Sequence, residues 1–196
     1  MTRPLPTDRI APAELPGRIW QELQRATVDR HHEWRTPVLA SVDADGLPQA
    51  RTVVLRRADA DTRTLTCSTD ARSPKCADLH ARPQAALVFW SQRLGWQLRV
   101  RAQATVHTDG PAVQAAWERV RPSAAATDYL MPRAPGAPLD DTTTGPAGER
   151  HHLAIVQLEV RAIDWLELHR DGHRRGRWDG GPAQGGEPAG WVWLTP

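Results

Sequence analysis

Apolar and polar positions alternate most cleanly over residues 97–107, where Leu98, Val100, Ala102, Ala104 and Val106 share one face and polar or charged side chains the other. A period of two held that long is the pattern of a strand covered by a core on one side. Residues 85–90 form a nearly continuous apolar run and read as a second strand. Residues 38–42 and 49–55, joined by the turn signal Asp45-Gly46, read as a β-hairpin rich in β-branched residues. Further strands are expected over 64–68, before a polar turn at 69–72, and over 156–162, where Val156, Leu158, Val160 and Ala162 alternate with polar neighbours. That last strand continues through 165–168 to a turn at Asp171-Gly172. The chain then returns through Arg177-Trp178, crosses the glycine-rich residues 180–190 and ends in an apolar segment over 191–194.

Helical spacing appears in three places. Ile19, Trp20, Leu23 and Ala26 follow Pro16 and Gly17. Ser73 and Pro74 are a cap and first residue for a short helix that Pro83 stops. Val113, Ala116, Trp117 and Val120 mark a third helix, with Thr108 or Asp109 as its cap and Pro122 beyond its end. A loop rich in Pro and Gly is expected over 132–148. Six to seven strands with few helices between them predict a mainly β, α+β fold, a small antiparallel barrel with flanking short helices, since a small barrel covers its own edges. The 196 residues suit one domain, 1–196, with an N-terminal helical segment at 1–33.

Composition narrows the function classes. A formal net charge of +2 and the lack of a basic run give no electrostatic footprint for nucleic acid. No stretch approaches the roughly 18 apolar residues of a membrane span, and two cysteines, Cys67 and Cys76, make no disulfide framework. A cytoplasmic protein without nucleic-acid or membrane partners is expected. The adjacent pairs His31-His32 and His151-His152 point apart on a strand and read as structural histidines, so no metal is expected. Among the nine tryptophans, Trp20 and Trp117 read as core, and Trp178, Trp191 and Trp193 as part of a subunit seam.

The basic residues are nearly all arginine, and Lys75 is the only lysine. It stands in Arg72-Ser73-Pro74-Lys75, where a helix start, a hydroxyl and two cations can meet one anion. The strand Arg51-Thr52-Val53-Val54-Leu55-Arg56 carries an arginine at each end, and alternation places the two on opposite faces.

These two segments, with Gln97-Leu98-Arg99-Val100, resemble in order and spacing the three flavin-binding blocks of the pyridoxamine 5'-phosphate oxidase family. The resemblance is closest over residues 34–110, and the C-terminal residues 160–196 are similar to the family's dimerisation segment. It implies an antiparallel split β-barrel and an FMN-dependent oxidoreductase acting on a small molecule, built as a homodimer with FMN at the subunit interface. Carried over, Arg51 and Lys75 would hold the flavin phosphate with help from Ser73 or Arg72. The backbone of Thr52, Val53, Val54 and Leu55 would line the ring system, with Arg56 ending that block. Ser68 and Thr69 would contact the ribityl-phosphate region, and Gln97 and Arg177 would reach the cofactor held mainly by the other subunit.

Several departures bear on substrate. Arg56 stands where the family commonly has lysine, and His173-Arg174-Arg175-Gly176-Arg177 keeps the last arginine of a family motif without its histidine. In the helix after the long strand, a tyrosine, arginine and serine pattern survives as Trp117 and Arg121, with Ala125 at the serine position. Arg121, Arg174 and Arg175 are the candidates for an anionic substrate, and no catalytic acid or base stands out. The alternative function is a non-catalytic flavin-binding or flavin-sensing module. Related split barrels hold a deazaflavin or haem, so both stay alternatives to FMN.

Overall fold

The structure, a computed structural model, describes residues 10–138, 148, 150–180 and 190–196. Most of the proline- and glycine-rich loop expected over 132–148, the residues 181–189 and the first nine residues therefore lie outside the described ones. Nine strands form one mainly antiparallel sheet of split-barrel type. A seven-strand path runs β2 (Pro48–Thr52), β1 (Val38–Val42), β5 (Gln84–Ser91), β6 (Trp96–His107), β7 (Leu153–Glu167), β4 (Thr64–Asp70), β3 (Leu55–Asp59). The hairpin β8 (Arg174–Asp179) and β9 (Trp191–Leu194) is attached to β7 off that path, which takes the count beyond the six to seven expected. Among the described residues no ladder joins β2 to β3, so the barrel stays open.

β7 is the spine. Along one edge Ile155 to Glu167 pair with β6; along the other, Leu153 to Glu159 pair with β4 and Ala162 to Glu167 with β8. Arg101 faces Ala162 and Ala102 faces Val160, which leaves Arg161 as the extra residue of a bulge where the second edge changes partner. A bulge bends its strand and raises the local twist, and here that bend parts the sheet. The Arg161 carbonyl, out of register, accepts from Gly180 N–H at 2.7 Å instead.

The main core lies inside this curve. Leu39, Leu55, Leu65, Leu87, Phe89, Leu98, Val100, Leu158 and Trp165 pack there against Ile19 and Leu23 of α1 (Leu15–Val28). A smaller core covers the opposite face of β7, where Leu153 and Ile155 meet Val113, Ala116 and Trp117 of α3 (Pro111–Val120) and Tyr129 of the 3-10 helix Ala124–Tyr129. Both faces of β7 are thus covered at its start. Its first residues lose the alternation that marks a half-covered strand, which is why the pattern located the strand only from Val156.

Two expectations near the candidate anion site change. The strand expected over 49–55 is two strands: β2 ends at Thr52, Val53 N–H donates to the Pro37 carbonyl, and β3 starts at Leu55 beside β4. The turn expected over 69–72 begins later, because Thr69 and Asp70 still pair with β7. At α3 the cap is Gly110 at φ 89°, in place of Thr108 or Asp109, a backbone region that glycine enters without a Cβ clash. Trp178 and Trp191, expected at a subunit seam, are half-buried and pack against the main core.

Candidate functional site

Leu39 and Arg51 face each other across β1 and β2, so their side chains leave the same side of the sheet, the side that holds the core. Ser41, two residues on, shares that face and is buried. The Arg51 Nη1 group donates to Ser41 Oγ at 2.7 Å, to the Gln49 carbonyl at 3.2 Å and to the Leu39 carbonyl at 3.4 Å. α2 (Pro74–Ala81) starts beside these strands, with Ser73 at its cap and Pro74 at its first position. The Ser73 hydroxyl does not cap the helix; it accepts from Lys75 Nζ at 2.6 Å, and Thr69 Oγ1 accepts from the same ammonium at 2.9 Å.

The electrostatics of this corner are unusual for the molecule. Burial pulls the Lys75 pKa below the ordinary lysine value, and the positive charge of Arg51 acts in the same direction. The two cations are therefore within electrostatic reach, yet neither has an ion pair to a carboxylate among the described residues, where most other arginines do. Asp70, the carboxylate at the end of β4 whose charge acts on Lys75, is buried and held below its usual range despite that burial. Arg72 does this, donating from Nε and Nη2 at 3.0 and 2.7 Å. Two half-buried like charges with three hydroxyls beside them, and no ion-paired carboxylate among the described residues, are an arrangement that suits an anion.

Of the residues expected to hold the cofactor, the structure gathers Arg51, Thr69, Ser73 and Lys75. Arg72 is committed elsewhere: besides Asp70, its guanidinium donates to the carbonyls of Met131 and Pro132. Ser68 is half-buried in β4 opposite Ile155, and Thr52, Val53, Val54 and Leu55 run through the break between β2 and β3, where Val54 belongs to neither ladder. Arg56 is the extra residue of a bulge in β3, exposed, and its positive charge acts on the nearby Tyr129 hydroxyl.

Gln97 and Arg177 lie on the other face of the sheet. Gln97 faces Trp90 and Arg177 faces Asp164, in phase with the outward-pointing Val88 and Arg99. This face carries two arginine and aspartate clusters: Asp164 takes Arg99 at 2.6 Å and Arg175 at 2.8 Å, and Asp179 takes Arg101 at 2.6 Å and Arg177 at 2.7 Å. Each cluster has two cations on one carboxylate. Between the clusters and the free edge of β2, Val38, Val88 and Trp90 are exposed, at 39%, 37% and 46%.

The three candidates for an anionic substrate are not brought together. Arg121 is exposed and meets only Glu118, at 3.4 Å, among the described residues. Arg174 is spent on Glu167, on the Ile10 carbonyl and on the face of Trp165. Arg175 is on the outer face with Asp164. Trp117 is buried and stacks on His151 at 4.5 Å, and His32 is buried and hydrogen-bonds Glu22 at 2.8 Å, which gives these histidines structural roles. Sequence reasoning missed Ser41. The only signal for Ser41 was a hydroxyl in phase with Leu39, legible once the buried face of β1 is known.

A family model described as pyridoxamine 5'-phosphate oxidase matches residues 23–142. A pyridoxine/pyridoxamine 5'-phosphate oxidase of Anaeromyxobacter dehalogenans is 33% identical over 159 residues, covering 81% of this chain and 73% of the relative. One of Azorhizobium caulinodans is 37% identical over 110 residues, 56% of this chain, and the match spans about half of that relative, 51%. Among solved structures, a pyridoxamine 5'-phosphate oxidase-related, FMN-binding protein of Nostoc punctiforme has a similar fold, with a TM-score of 0.71 at 22% identity, covering 96% of this chain and all of the other. PhzG of Burkholderia lata, solved with tetrahydrophenazine-1-carboxylic acid, gives 0.70 at 19% identity over 99% and 98% of the two chains. On the family model and the Anaeromyxobacter relative, this chain belongs to the pyridoxamine 5'-phosphate oxidase family.

Proposed function

We propose that this chain binds FMN and works as an FMN-dependent oxidoreductase on a small molecule, as a homodimer. The observation that carries the reading is the pair Arg51 and Lys75: two half-buried cations without a carboxylate partner among the described residues, next to the hydroxyls of Ser41, Thr69 and Ser73. A phosphate dianion supplies the missing counter-charge. Lys75 offers it a point charge and Arg51 an edge of its guanidinium, while the Thr69 and Ser73 hydroxyls, which accept from Lys75, keep their own protons to donate. The backbone at Val53 and Val54, which lies in neither ladder, offers C=O groups and the Val54 N–H to the rest of the cofactor, the Val53 N–H being taken by the Pro37 carbonyl. When bound, FMN supplies the redox chemistry, and the protein's part is to position it.

The dimer is supported by the outer face. The exposed Val38, Val88 and Trp90 lie beside Gln97 and the two arginine-rich clusters, an apolar patch rimmed by charge of the kind that marks an interaction site. A second copy seated there would bring Gln97 and Arg177 to a cofactor held at Arg51 and Lys75 of the first.

The test is the visible spectrum of the purified protein with added FMN, together with light scattering for mass. Flavin absorbance that stays with the protein, disappears in an Arg51→Ala plus Lys75→Ala variant that still folds, and travels with a two-chain species supports the proposal. A folded wild-type protein that ignores FMN overturns it. Bound FMN that neither a nicotinamide cofactor nor pyridoxine phosphate reduces would favour the non-catalytic module.

A further inference from the structure

We propose that Ser41 is a positioning residue that sets the preference of this site for a phosphorylated flavin over its unphosphorylated counterpart; the inference rests on the FMN reading above. Arg51 is held through one corner of its guanidinium. All three of its hydrogen bonds leave from Nη1, to Ser41 Oγ, the Gln49 carbonyl and the Leu39 carbonyl. The bond to Ser41, at 2.7 Å, is the short one; the carbonyls at 3.2 and 3.4 Å are at the long end of the range. Among the described residues no acceptor takes Nε or Nη2.

A guanidinium is planar, so pinning Nη1 fixes the direction of the rest. Nε and Nη2 together form the edge that takes two oxygens of a phosphate side by side. Ser41 anchors the far corner and leaves this edge presented. It is suited to the task because it is buried, 3% exposed, on β1 where it pairs with Gln49 of β2. Of the three acceptors it is also the only side chain, hence the only one a substitution removes.

Arg51 stands on β2, the strand at the end of the sheet path, and is half-buried. Without Ser41 its guanidinium keeps only the two long carbonyl contacts and must be ordered again when a ligand binds. Ordering one such side chain corresponds to roughly a 3- to 12-fold loss of affinity. That loss falls on the phosphate contact, so riboflavin, which lacks the phosphate, is spared.

The experiment measures dissociation constants of FMN and riboflavin by quenching of flavin fluorescence, for the full chain, Ser41→Ala, Arg51→Ala and the double variant. Ser41→Ala is expected to weaken FMN roughly 3- to 12-fold and to leave riboflavin within about twofold. In the Arg51→Ala background the same change should move FMN by less than about twofold, because the group it positions is gone. Ser41→Thr, which keeps the hydroxyl, should restore most of the FMN affinity. Equal losses for FMN and riboflavin, an undiminished loss in the Arg51→Ala background, or no loss at all each overturn the role given to Ser41 while leaving FMN binding intact. A wild-type chain that binds neither flavin removes the FMN reading and this inference with it.

Discussion

Replacing Lys75 by methionine should act in opposite directions on the free protein and on its cofactor complex. The substitution keeps a flexible, unbranched side chain and removes the charge. In the free protein the ammonium is half-buried, its pKa drawn down first by burial and further by the like charge of Arg51, and its two hydrogen-bond partners are neutral hydroxyls. Removing it relieves both penalties, so the free variant should melt no lower than the wild type. With FMN bound, the lost contact is a charge-assisted one, about 1.5–3 kcal/mol, which at 1.4 kcal/mol per decade is roughly a 10- to 150-fold weaker complex.

The lowered Lys75 pKa makes the stability of the free protein depend on pH. A lysine whose folded pKa is lowered has already released its proton in the folded state at a pH where the unfolded chain still holds one. Stability therefore rises with pH between the lowered value and the ordinary value of about 10.4, and the penalty is fully present below that window. Thermal melts between pH 7 and 10 should show the free wild type gaining on Lys75→Met as pH rises, and that gain should vanish with saturating FMN. A variant that loses FMN and riboflavin affinity equally, or that melts well below the wild type without ligand, would show that Lys75 supports the fold and does not meet a phosphate.

Two further outcomes follow from groups away from the site. Glu22 is buried under Arg18, Arg93 and His32 at 2.9, 2.9 and 2.8 Å; burial pushes its pKa up, but these partners outweigh it and hold it below 4.5. Breaking this cluster with Glu22→Ala should cost about 2–3 kcal/mol in urea unfolding, less than the usual 3–5 for a buried pair because the two arginines can turn to water. The carboxylate's contribution is present above its unfolded pKa and lost as pH falls through the lower folded value, so Glu22→Gln should flatten acid unfolding below about pH 4.5; an unchanged acid limb would count against it. Burial pushes the Cys67 thiol up to about 12 and raises Cys76 as well. Neither should react with a disulfide reagent at pH 8 in the folded protein, both should in guanidinium, and stoichiometric labelling of the native chain would contradict this.

What could be read from the sequence follows the physics of each segment. β6 was legible because one of its faces meets the core and the other does not, so its side chains keep a strict alternation. The break between β2 and β3 was hidden, since Thr52, Val53, Val54 and Leu55 suit an extended backbone whether or not a partner strand lies beside them. What ends the pairing is tertiary: β2 belongs with β1, β3 with β4, and the chain must cross the barrel between them. The face of β1 was likewise ambiguous. Val38, Ala40 and Val42 look like its apolar side, yet Leu39 and Ser41 are the buried ones and Val38 is exposed. Lys75 could be found because it is the one lysine in a sequence of arginines, and the helix start that carries it has local signals in Ser73 and Pro74.

The division of the candidate site between two faces has a consequence for assembly. Leu39, Leu87 and Val100 are in register across β1, β5 and β6 and point into the core, and Arg51 shares that side through its pairing with Leu39. Gln97 is out of phase with Val100 by an odd number of residues and therefore points outward, as does Arg177 through Asp164 and Arg99. A sheet cannot bring its two faces to one small ligand, and shifting a strand by one residue to do so would turn Leu98 and Val100 out of the core. A cofactor that used Arg51 and Lys75 as well as Gln97 and Arg177 would have to lie between two chains. Mixing Arg51→Ala chains with Gln97→Ala chains, each weak in binding by itself, should then regenerate intact sites in the mixed dimers, and a mixture that binds FMN no better than its components would refute a shared site.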